Sequence, residues 1–398
     1  MIHTPVSTQG RQCLPFSCAE TPKNRSFSRQ TRPRPDRLQT WRPNASSHPP
    51  LLPRKSTRTG LRPQSIDEYI GQPELIERLL IAIEAVKSRQ SQKDDTESRE
   101  HLEHILLHGP PGLGKTTLAH VIGSELGTKV HVTSGPALAR GTDLVAVLTR
   151  LQPGDVLFID EIHRLPIAVE EFVYPAMEDF KIDVCLDTGL NARTVQIKCA
   201  PFTLIGATTR AGLLSSPMRS RFGITHHLKF YEHADLVNIL IRSASLLAMS
   251  ACDHDSLGQI ASRSRGTPRI ANRLLRRVRD YAIVRADSVV SSQIVDDALA
   301  LEGVDTLGLD ELDRSYLKTI RNVYDGGPVG LEAVAATLNE DAGTLEDVVE
   351  PYLLQLGFLA RTRRGRMITQ LACDHLGLPP LAPGTEEKPT TNPISGLF

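Results

Sequence analysis

The sequence contains no long apolar run. None of its 398 residues falls in a stretch approaching 18 consecutive apolar positions, and a helix that crosses a bilayer needs about that many. Cysteine is scarce as well. The six cysteines, Cys13, Cys18, Cys185, Cys199, Cys252 and Cys373, are scattered and none forms a C-x-x-C pair. Cys252 near His254, and Cys373 near His375, have no second ligand pair at zinc-site spacing. Such thiols read as free in a reducing compartment. G-x-S-x-G and H-E-x-x-H are missing, so a triad hydrolase and a zinc peptidase have no support. There is no internal repeat.

Net charge is absent too, but the balance hides an asymmetry. Of 46 basic and 46 acidic residues, the first 60 positions hold 11 and two, which leaves 35 and 44 for the rest. The body is mildly acidic, so any contact with nucleic acid must run through a local basic element.

What is present is a soluble composition, 40% hydrophobic and 23% charged, at a length that suits two or three domains. Residues 1–58 hold nine of the 27 prolines and no sustained periodicity. A segment of that kind buries too little apolar surface to offset its ordering entropy and reads as a disordered basic extension. Three roles are open for it: an extension without a role, an organellar transit peptide, or an arm that touches nucleic acid. Leu75, Leu79, Leu80, Ile83 and Val86 share a helical stripe, and a polar loop follows over Ser91–Glu100. Strand candidates Ile105–Leu107, Lys129–Thr133, Val156–Asp160 and Phe202–Thr208 alternate with helical patterns, as in a parallel α/β sheet. From about His233 to Glu302 the pattern is helical, interrupted at Gly266-Thr267-Pro268. A third unit begins near Asp310, and the tail after Pro379 reads as loose.

Gly109-Pro110-Pro111-Gly112-Leu113-Gly114-Lys115-Thr116 fits the phosphate-binding loop G-x-x-x-x-G-K-[ST], with a strand before it and a helix after it. Its glycines let backbone N–H groups wrap phosphates, Lys115 brings a charge to the outer phosphates, and Thr116 is placed for Mg²⁺. Val156-Leu157-Phe158-Ile159 ends in Asp160-Glu161. Asp160 suits the Mg²⁺ shell and Glu161 the attacking water; alone, such a pair could equally cap a helix. His163 makes the wording D-E-x-H, found in some helicases, and reads as a packing residue or as one that supports the acids from behind. Gly206-Ala207-Thr208-Thr209-Arg210 places hydroxyls at a strand end near a γ-phosphate. Arg221, after Ser216-Pro217-Met218-Arg219-Ser220, and Arg269, in the first turn after Pro268, are candidates to neutralise phosphate charge; each could instead be a surface arginine. Thr344–Leu356 occupies the recognition-helix position of a helix-turn-helix unit but carries Glu346, Asp347 and Glu350. The basic segment Arg361-Thr362-Arg363-Arg364-Gly365-Arg366 after it is the better DNA-contacting element, a β-wing, unless it is only a solvated hairpin.

Together these pieces resemble the RuvB family from Leu61 to about Leu378. The markers are Leu61-Arg62-Pro63, Ile70-Gly71-Gln72, the phosphate loop, Thr133-Ser134-Gly135-Pro136, Phe158 to Leu165, Tyr174 to Phe180, Pro201 to Arg210, Arg219 to Gly223, Arg265 to Arg279, Gly326 to Leu331 and Gly357 to Met367. Clamp loaders and other AAA+ remodellers, the alternative reading, share the phosphate loop and acid pair but not this wording. The resemblance implies an α/β fold: a P-loop AAA+ parallel-sheet ATPase domain (59–232), a small helical lid (233–305) and a C-terminal winged-helix DNA-binding domain (306–380), with a loose tail over 381–398. It implies an ATP hydrolase using Mg²⁺, a motor that drives branch migration of Holliday junctions in recombination and repair. Lys115, Asp160, Glu161 and Arg221 take the catalytic roles. Leu61, Arg62, Glu178, Asp179, Phe180 and Tyr231 line the adenine nucleotide, and Gly112, Lys115, Thr116 and Thr117 hold its phosphates. Thr116 and Asp160 face the metal, Arg221 acts as an arginine finger for a neighbour's site, and Arg269 is the lid-domain arginine. Arg361 and Arg366 contact DNA. The implied partners are duplex DNA at junctions, five further copies in a homohexameric ring, RuvC, and RuvA. RuvA is expected at a hairpin Ile182–Leu186/Thr194–Ile197, on the face shared by Val184 and Leu186; the hairpin could instead pack on its own domain. No membrane is involved. The implied location is cytoplasmic and nucleoid-associated, with organellar import left open by residues 1–58. Four features depart from the family pattern: Ala139-Arg140-Gly141-Thr142, Arg363 in place of a proline, a longer loop over Lys87–His101, and the basic extension.

Overall fold

A computed structural model of the chain describes residues 60–91, 101–185, 194–249 and 251–381. The extension 1–58, the segment 92–100, Leu186 and most of the tail lie outside the described residues. Helix α1 (Pro73–Ser91) comes first. It buries Leu75, Leu79, Ile83 and Val86 but leaves Leu80 exposed, so the apolar stripe is narrower than the sequence suggests. The helix also runs to Ser91, the first residue of the expected loop, because nothing in Lys87–Ser91 breaks it.

The ATPase domain continues with β1 (Ile105–His108), α2 (Lys115–Leu126), β2 (Val130–Ser134), α3 (Gly141–Leu148), β3 (Val156–Asp160), α4 (Ile167–Glu178), β4 (Lys181–Cys185), β5 (Thr194–Lys198), β6 (Thr203–Thr208), α5 (Ser216–Ser220) and β7 (Ile224–His227). Five strands form one parallel sheet in the order β2-β3-β6-β1-β7. Its central strands are buried on both faces, which is why they read as continuous apolar runs. β7 has a single aliphatic residue, Ile224, and an alternating burial pattern. It is an edge strand that composition does not reveal. β6 sits between β1 and β3, with His108 opposite Thr208 and Ile159 opposite Gly206. The phosphate loop, the acid pair and the threonines therefore emerge side by side at the carboxyl edge, where open α/β sheets bind ligands.

Ala139-Arg140-Gly141-Thr142 serves as the entry to α3: the Arg140 N–H donates to the Asp143 carboxylate at 2.9 Å. A β-carbon on Gly141 would lie 2.7 Å from the Phe172 ring, so this departure from the family wording suits local packing. β4 and β5 pair antiparallel, with Ile182 opposite Ile197 and Val184 opposite Val195.

Four helices follow: α6 (His233–Leu246), α7 (His254–Ser262), α8 (Pro268–Arg285) and α9 (Ser292–Leu301). One apolar cluster runs from the α1/α2 face of the sheet through Leu236 and Leu240 to Leu274, Leu275 and Val278. The lid thus shares a core with the ATPase domain, while a second cluster fills the opposite face of the sheet.

The third unit has its own core. It is built from α10 (Glu311–Val323), α11 (Leu331–Leu338), α12 (Ala342–Thr344), a π-helical turn (Leu345–Val349), α13 (Glu350–Gln355), β8 (Leu359–Thr362), β9 (Gly365–Ile368) and α14 (Gln370–Leu376). The expected continuous helix Thr344–Leu356 is interrupted by the π turn, next to Pro351, which has no N–H for an α ladder. β8 and β9 form the wing, extended by a bridge from Val329 to Arg366. Among the described residues, no helix is long and apolar enough to cross a membrane.

Candidate nucleotide site

A cavity of about 340 Å³ opens where the ATPase domain meets the lid. Its walls include Leu61, Arg62, Gly112, Lys115, Thr116, Thr117, Asp160, Glu161, Thr209, Tyr231 and Arg269, which were singled out in the sequence. Arg62, Lys115, Arg242, Arg269 and Arg276 face Glu68, Asp160 and Glu161, so the lining has an excess of cations suited to a polyphosphate.

The loop between β1 and α2 is shaped by its glycines. Gly112 has φ +85°, and a β-carbon there would lie 2.7 Å from Thr267 of the lid. Lys115, the first residue of α2, is buried, and its ammonium donates to the carbonyl oxygens of Gly109 and Pro110 at 2.8 and 2.9 Å. Burial, aided by the Arg269 charge and opposed by Asp160 and Glu161, brings its pKa down to about 8. A buried cation with only neutral acceptors in direct contact, at a helix N-terminus beside two carboxylates, fits a metal–triphosphate group.

Glu161 sits in the left-handed region, φ +51° and ψ 43°, rare for a residue with a side chain and typical of functional sites. Its N–H donates to the Asp160 carboxylate at 3.0 Å. Behind it, His163 Nε2 lies 3.5 Å from a Glu161 carboxylate oxygen, and His163 Nδ1 lies 2.8 Å from the Thr208 hydroxyl. That hydroxyl accepts from the Arg210 N–H at 2.9 Å, which leaves its own proton for Nδ1. His163 is then a neutral ring whose Nε2 carries the proton and lies on the Glu161 side. Burial lowers its pKa, consistent with that form. His163 therefore links the Thr208 hydroxyl to the rear of the acid. The two threonines divide roles: Thr208 is fully buried on His163, and Thr209 faces the cavity.

Several lining residues carried no role in the sequence reading. The Tyr69 hydroxyl meets that of Tyr231 at 3.0 Å in a buried position. Arg242 binds Glu68 at 2.5 Å and the Leu61 carbonyl at 2.9 Å, fixing the entry segment. Asn272 and Arg276 follow Arg269 at helical spacing on α8. That spacing was the available signal; Tyr69 and Arg242 offered none, being far from the phosphate loop in sequence.

Glu178, Asp179 and Phe180, expected around the nucleotide, and Arg221, expected at a neighbour's site, do not line the cavity of their own chain. They gather instead at the end of α4. Arg221 lies 3.1 Å from Glu178, over the Tyr174 ring at 4.5 Å, and donates to the Pro217 carbonyl at 2.7 Å. Phe180 packs edge-on against His101 and Phe202.

The wing arginines have partners as well. Glu350 is fully buried and accepts from Arg361 Nε at 2.7 Å and Arg366 Nε at 2.9 Å, with the Tyr316 hydroxyl as a third donor. Burial acts to raise its carboxyl pKa, but the bonds from Arg366, Tyr316 and Arg361 outweigh it and hold it below the usual value. Arg361 remains exposed on one side, Arg366 less so. Leu186 lies outside the described residues, so the shared apolar face expected on the hairpin has no structural account; Val195, opposite Val184, is exposed.

The chain matches three family models: the Holliday junction DNA helicase RuvB P-loop domain over residues 61–228, the RuvB AAA lid domain over 231–305 and the RuvB C-terminal winged helix domain over 306–377. It is 55% identical over 318 residues to the Holliday junction branch migration complex subunit RuvB of Desulfosudis oleivorans, covering 80% of this chain and 90% of that one. It is 52% identical over 324 residues to the protein of the same name from Streptococcus equi subsp. zooepidemicus, covering 81% and 94%. The solved structure of the Thermotoga maritima RuvB Holliday junction branch migration motor superposes with a TM-score of 0.72 at 52% identity, covering 80% of this chain and 99% of that one.

Proposed function

This chain belongs to the RuvB family of AAA+ branch-migration ATPases, and on that premise we propose how it divides the work of an ATP-driven motor on Holliday-junction DNA. Leu61, Arg62 and Tyr231 hold the nucleotide's adenine end, and Gly112, Lys115, Thr116 and Thr117 its phosphates. Thr116 and Asp160 hold Mg²⁺, which when bound offsets phosphate charge. Glu161, aimed by His163, orients and deprotonates water. Thr209 and Arg269 flank the γ-phosphate from the sheet and the lid. The observation that carries this reading is the meeting of Lys115, Asp160, Glu161, Thr209 and Arg269 around one cavity.

Arg221 completes the site of a neighbouring copy, with Glu178, Asp179 and Phe180 at the same boundary. The support is that none of them lines the cavity of its own chain and that Arg221 meets Glu178. A site that needs a neighbour's arginine makes a ring the working form, and the family's ring is a homohexamer encircling duplex beside a junction. The wing, with Arg361 and Arg366, tracks the duplex phosphates. The β4–β5 hairpin receives RuvA around Val184 and Leu186, and RuvC acts on the same junction. The setting is the cytoplasm, on the nucleoid. The deciding measurement is ATP turnover by the full chain alone, with a four-way junction, and with the junction plus RuvA. Stimulation by the junction that RuvA increases is expected. Turnover indifferent to both would remove the motor reading.

A further inference from the structure

The winged-helix domain is tied to the rest of the chain in two places that differ in kind. The first tie is to the lid. Arg265, directly before the Gly266-Thr267-Pro268-Arg269 segment of the nucleotide site, is buried, and its Nε donates to the Gly308 carbonyl at 2.7 Å. Its guanidinium reaches Asp310 at 2.7 Å and the fully buried Asp313 at 2.6 Å. Breaking such a buried pair strands a charge, so this tie is costly to open.

The second tie runs to the ATPase domain and bypasses the lid. Arg210 Nε donates to both carboxylate oxygens of Asp347, at 2.8 and 3.0 Å, and its guanidinium lies 3.2 Å from Glu346. These side chains are 31%, 32% and 37% exposed, so this contact can open and close at little cost. The backbone N–H of the same Arg210 donates to Thr208, the Thr208 hydroxyl bonds to His163, and His163 lies 3.5 Å from Glu161. Toward the wing, Glu346 also lies 4.0 Å from Arg361 and 3.9 Å from Arg366. The acid that serves Arg210 is therefore shared with the two wing arginines.

We propose that Arg210 is a positioning residue that reports DNA occupancy of the wing to Glu161 of the same chain. This rests on the reading of the wing as the duplex-contacting element. A phosphate engaging the exposed sides of Arg361 and Arg366 weakens their claim on Glu346, while Glu350 keeps them anchored. Glu346 and Asp347 then hold Arg210 more firmly, and the Thr208–His163–Glu161 chain is fixed in register. Without that hold, the strand end at Thr208 is freer and Glu161 is less well aimed. DNA thereby stimulates hydrolysis in cis, in addition to anything that passes between subunits.

The test uses the full chain with a blunt 30-base-pair duplex of random sequence. Steady-state ATP turnover is read with and without duplex, and duplex affinity by fluorescence anisotropy. Asp347→Asn is expected to keep duplex affinity and DNA-free turnover within about twofold and to lose most of the stimulation. Glu346→Gln should also lose stimulation. Arg210→Asp should lose it too, and the swapped pair Arg210→Asp with Asp347→Arg should regain part of it; loss of stimulation with DNA-free turnover and duplex affinity kept is what a merely structural contact does not predict. Stimulation unchanged in both Asp347→Asn and Glu346→Gln, with duplex binding intact, overturns the proposal and leaves the wing reading standing. Loss of duplex binding in Asp347→Asn also overturns it, by placing Asp347 in the DNA contact itself. If the unmodified chain neither binds the duplex nor responds to it, the wing reading falls first and the proposal with it.

Discussion

A β-carbon on Gly135 would lie 2.4 Å from the backbone oxygen of Glu161. Gly135 follows β2, and Glu161 follows β3 in the left-handed region, so the missing side chain of one admits the strained backbone of the other. Gly135→Ala is expected to displace the Glu161 turn. Turnover should fall at least tenfold while nucleotide affinity, set by the loop at Gly112 and Lys115, changes little. Stopped-flow binding of a fluorescent nucleotide alongside steady-state turnover separates the two. Equal loss of both would mean that the whole sheet edge has shifted.

Lys115→Ala should abolish nucleotide binding, because the buried charge of the phosphate cradle is gone. Glu161→Gln should keep binding and lose turnover, because the group that activates water is replaced by a near-isostere while Asp160 remains. His163→Ala should fall between them, with normal affinity and a lowered turnover number. Near-normal hydrolysis by Glu161→Gln would remove its assigned role.

Arg221 is expected to act across a subunit boundary. Arginines of this kind contribute about 10³–10⁵ in rate in related phosphoryl transfers. Rings of Arg221→Ala or Glu161→Gln alone should be nearly inactive, and mixed rings should regain turnover at boundaries where an intact site meets an intact arginine. Turnover in mixed rings no higher than in either parent rules the trans role out.

The wing arginines carry two duties that mutation can separate. Each duplex phosphate neutralised adds about −0.9 to the slope of log K against log salt. Arg363 is exposed at the hairpin turn and has no ion-pair partner among the described residues. Arg363→Gln should flatten the slope by roughly one unit without loss of thermal stability. Arg361→Ala should flatten it similarly but also lower the melting temperature, since a fully buried Glu350 loses one of its two arginines. An unchanged slope in both variants, measured with residues 1–58 removed, would reduce the wing to a solvated hairpin.

Acid should act on the same centre. The Glu350 carboxyl is more acidic in the folded chain than its ordinary value of 4.5. Its contribution to stability is therefore complete above that value and is lost as pH falls through the lower folded one. Melting temperature followed from pH 7 to pH 3 should drop more steeply for the unmodified chain than for Glu350→Gln, which is less stable at neutral pH but has no such proton to take up. Parallel curves would show that Glu350 is not the group responsible.

The sequence by itself determined the parts whose chemistry depends on neighbours along the chain. The phosphate loop needs adjacent glycines, a lysine and a threonine before a helix, and the acid pair needs a buried strand directly before it. Both are local patterns, so Lys115, Thr116, Asp160 and Glu161 were legible from spacing alone, as was the parallel sheet from its apolar runs. The recognisable wording of the family supplied Leu61, Arg62 and Tyr231, which no local rule connects, while Arg269 was a candidate from its place after Pro268. The tertiary structure decided what depends on approach between distant segments. Edge strand β7 lacks the apolar signature of a buried strand and appears only as the partner of β1. The π turn before Pro351 reflects packing that helical periodicity does not encode. Glu178, Asp179 and Phe180 follow the acid pair by about twenty residues, yet they lie outside the cavity at the end of α4, where Arg221 joins them from beyond α5. Glu350 looked like a reason to doubt the recognition helix, and burial turned it into the anchor of Arg361 and Arg366. A charge on a helix reads the same in sequence whether it meets water or a guanidinium, and only the fold brings Glu350 to the wing and Asp347 to Arg210.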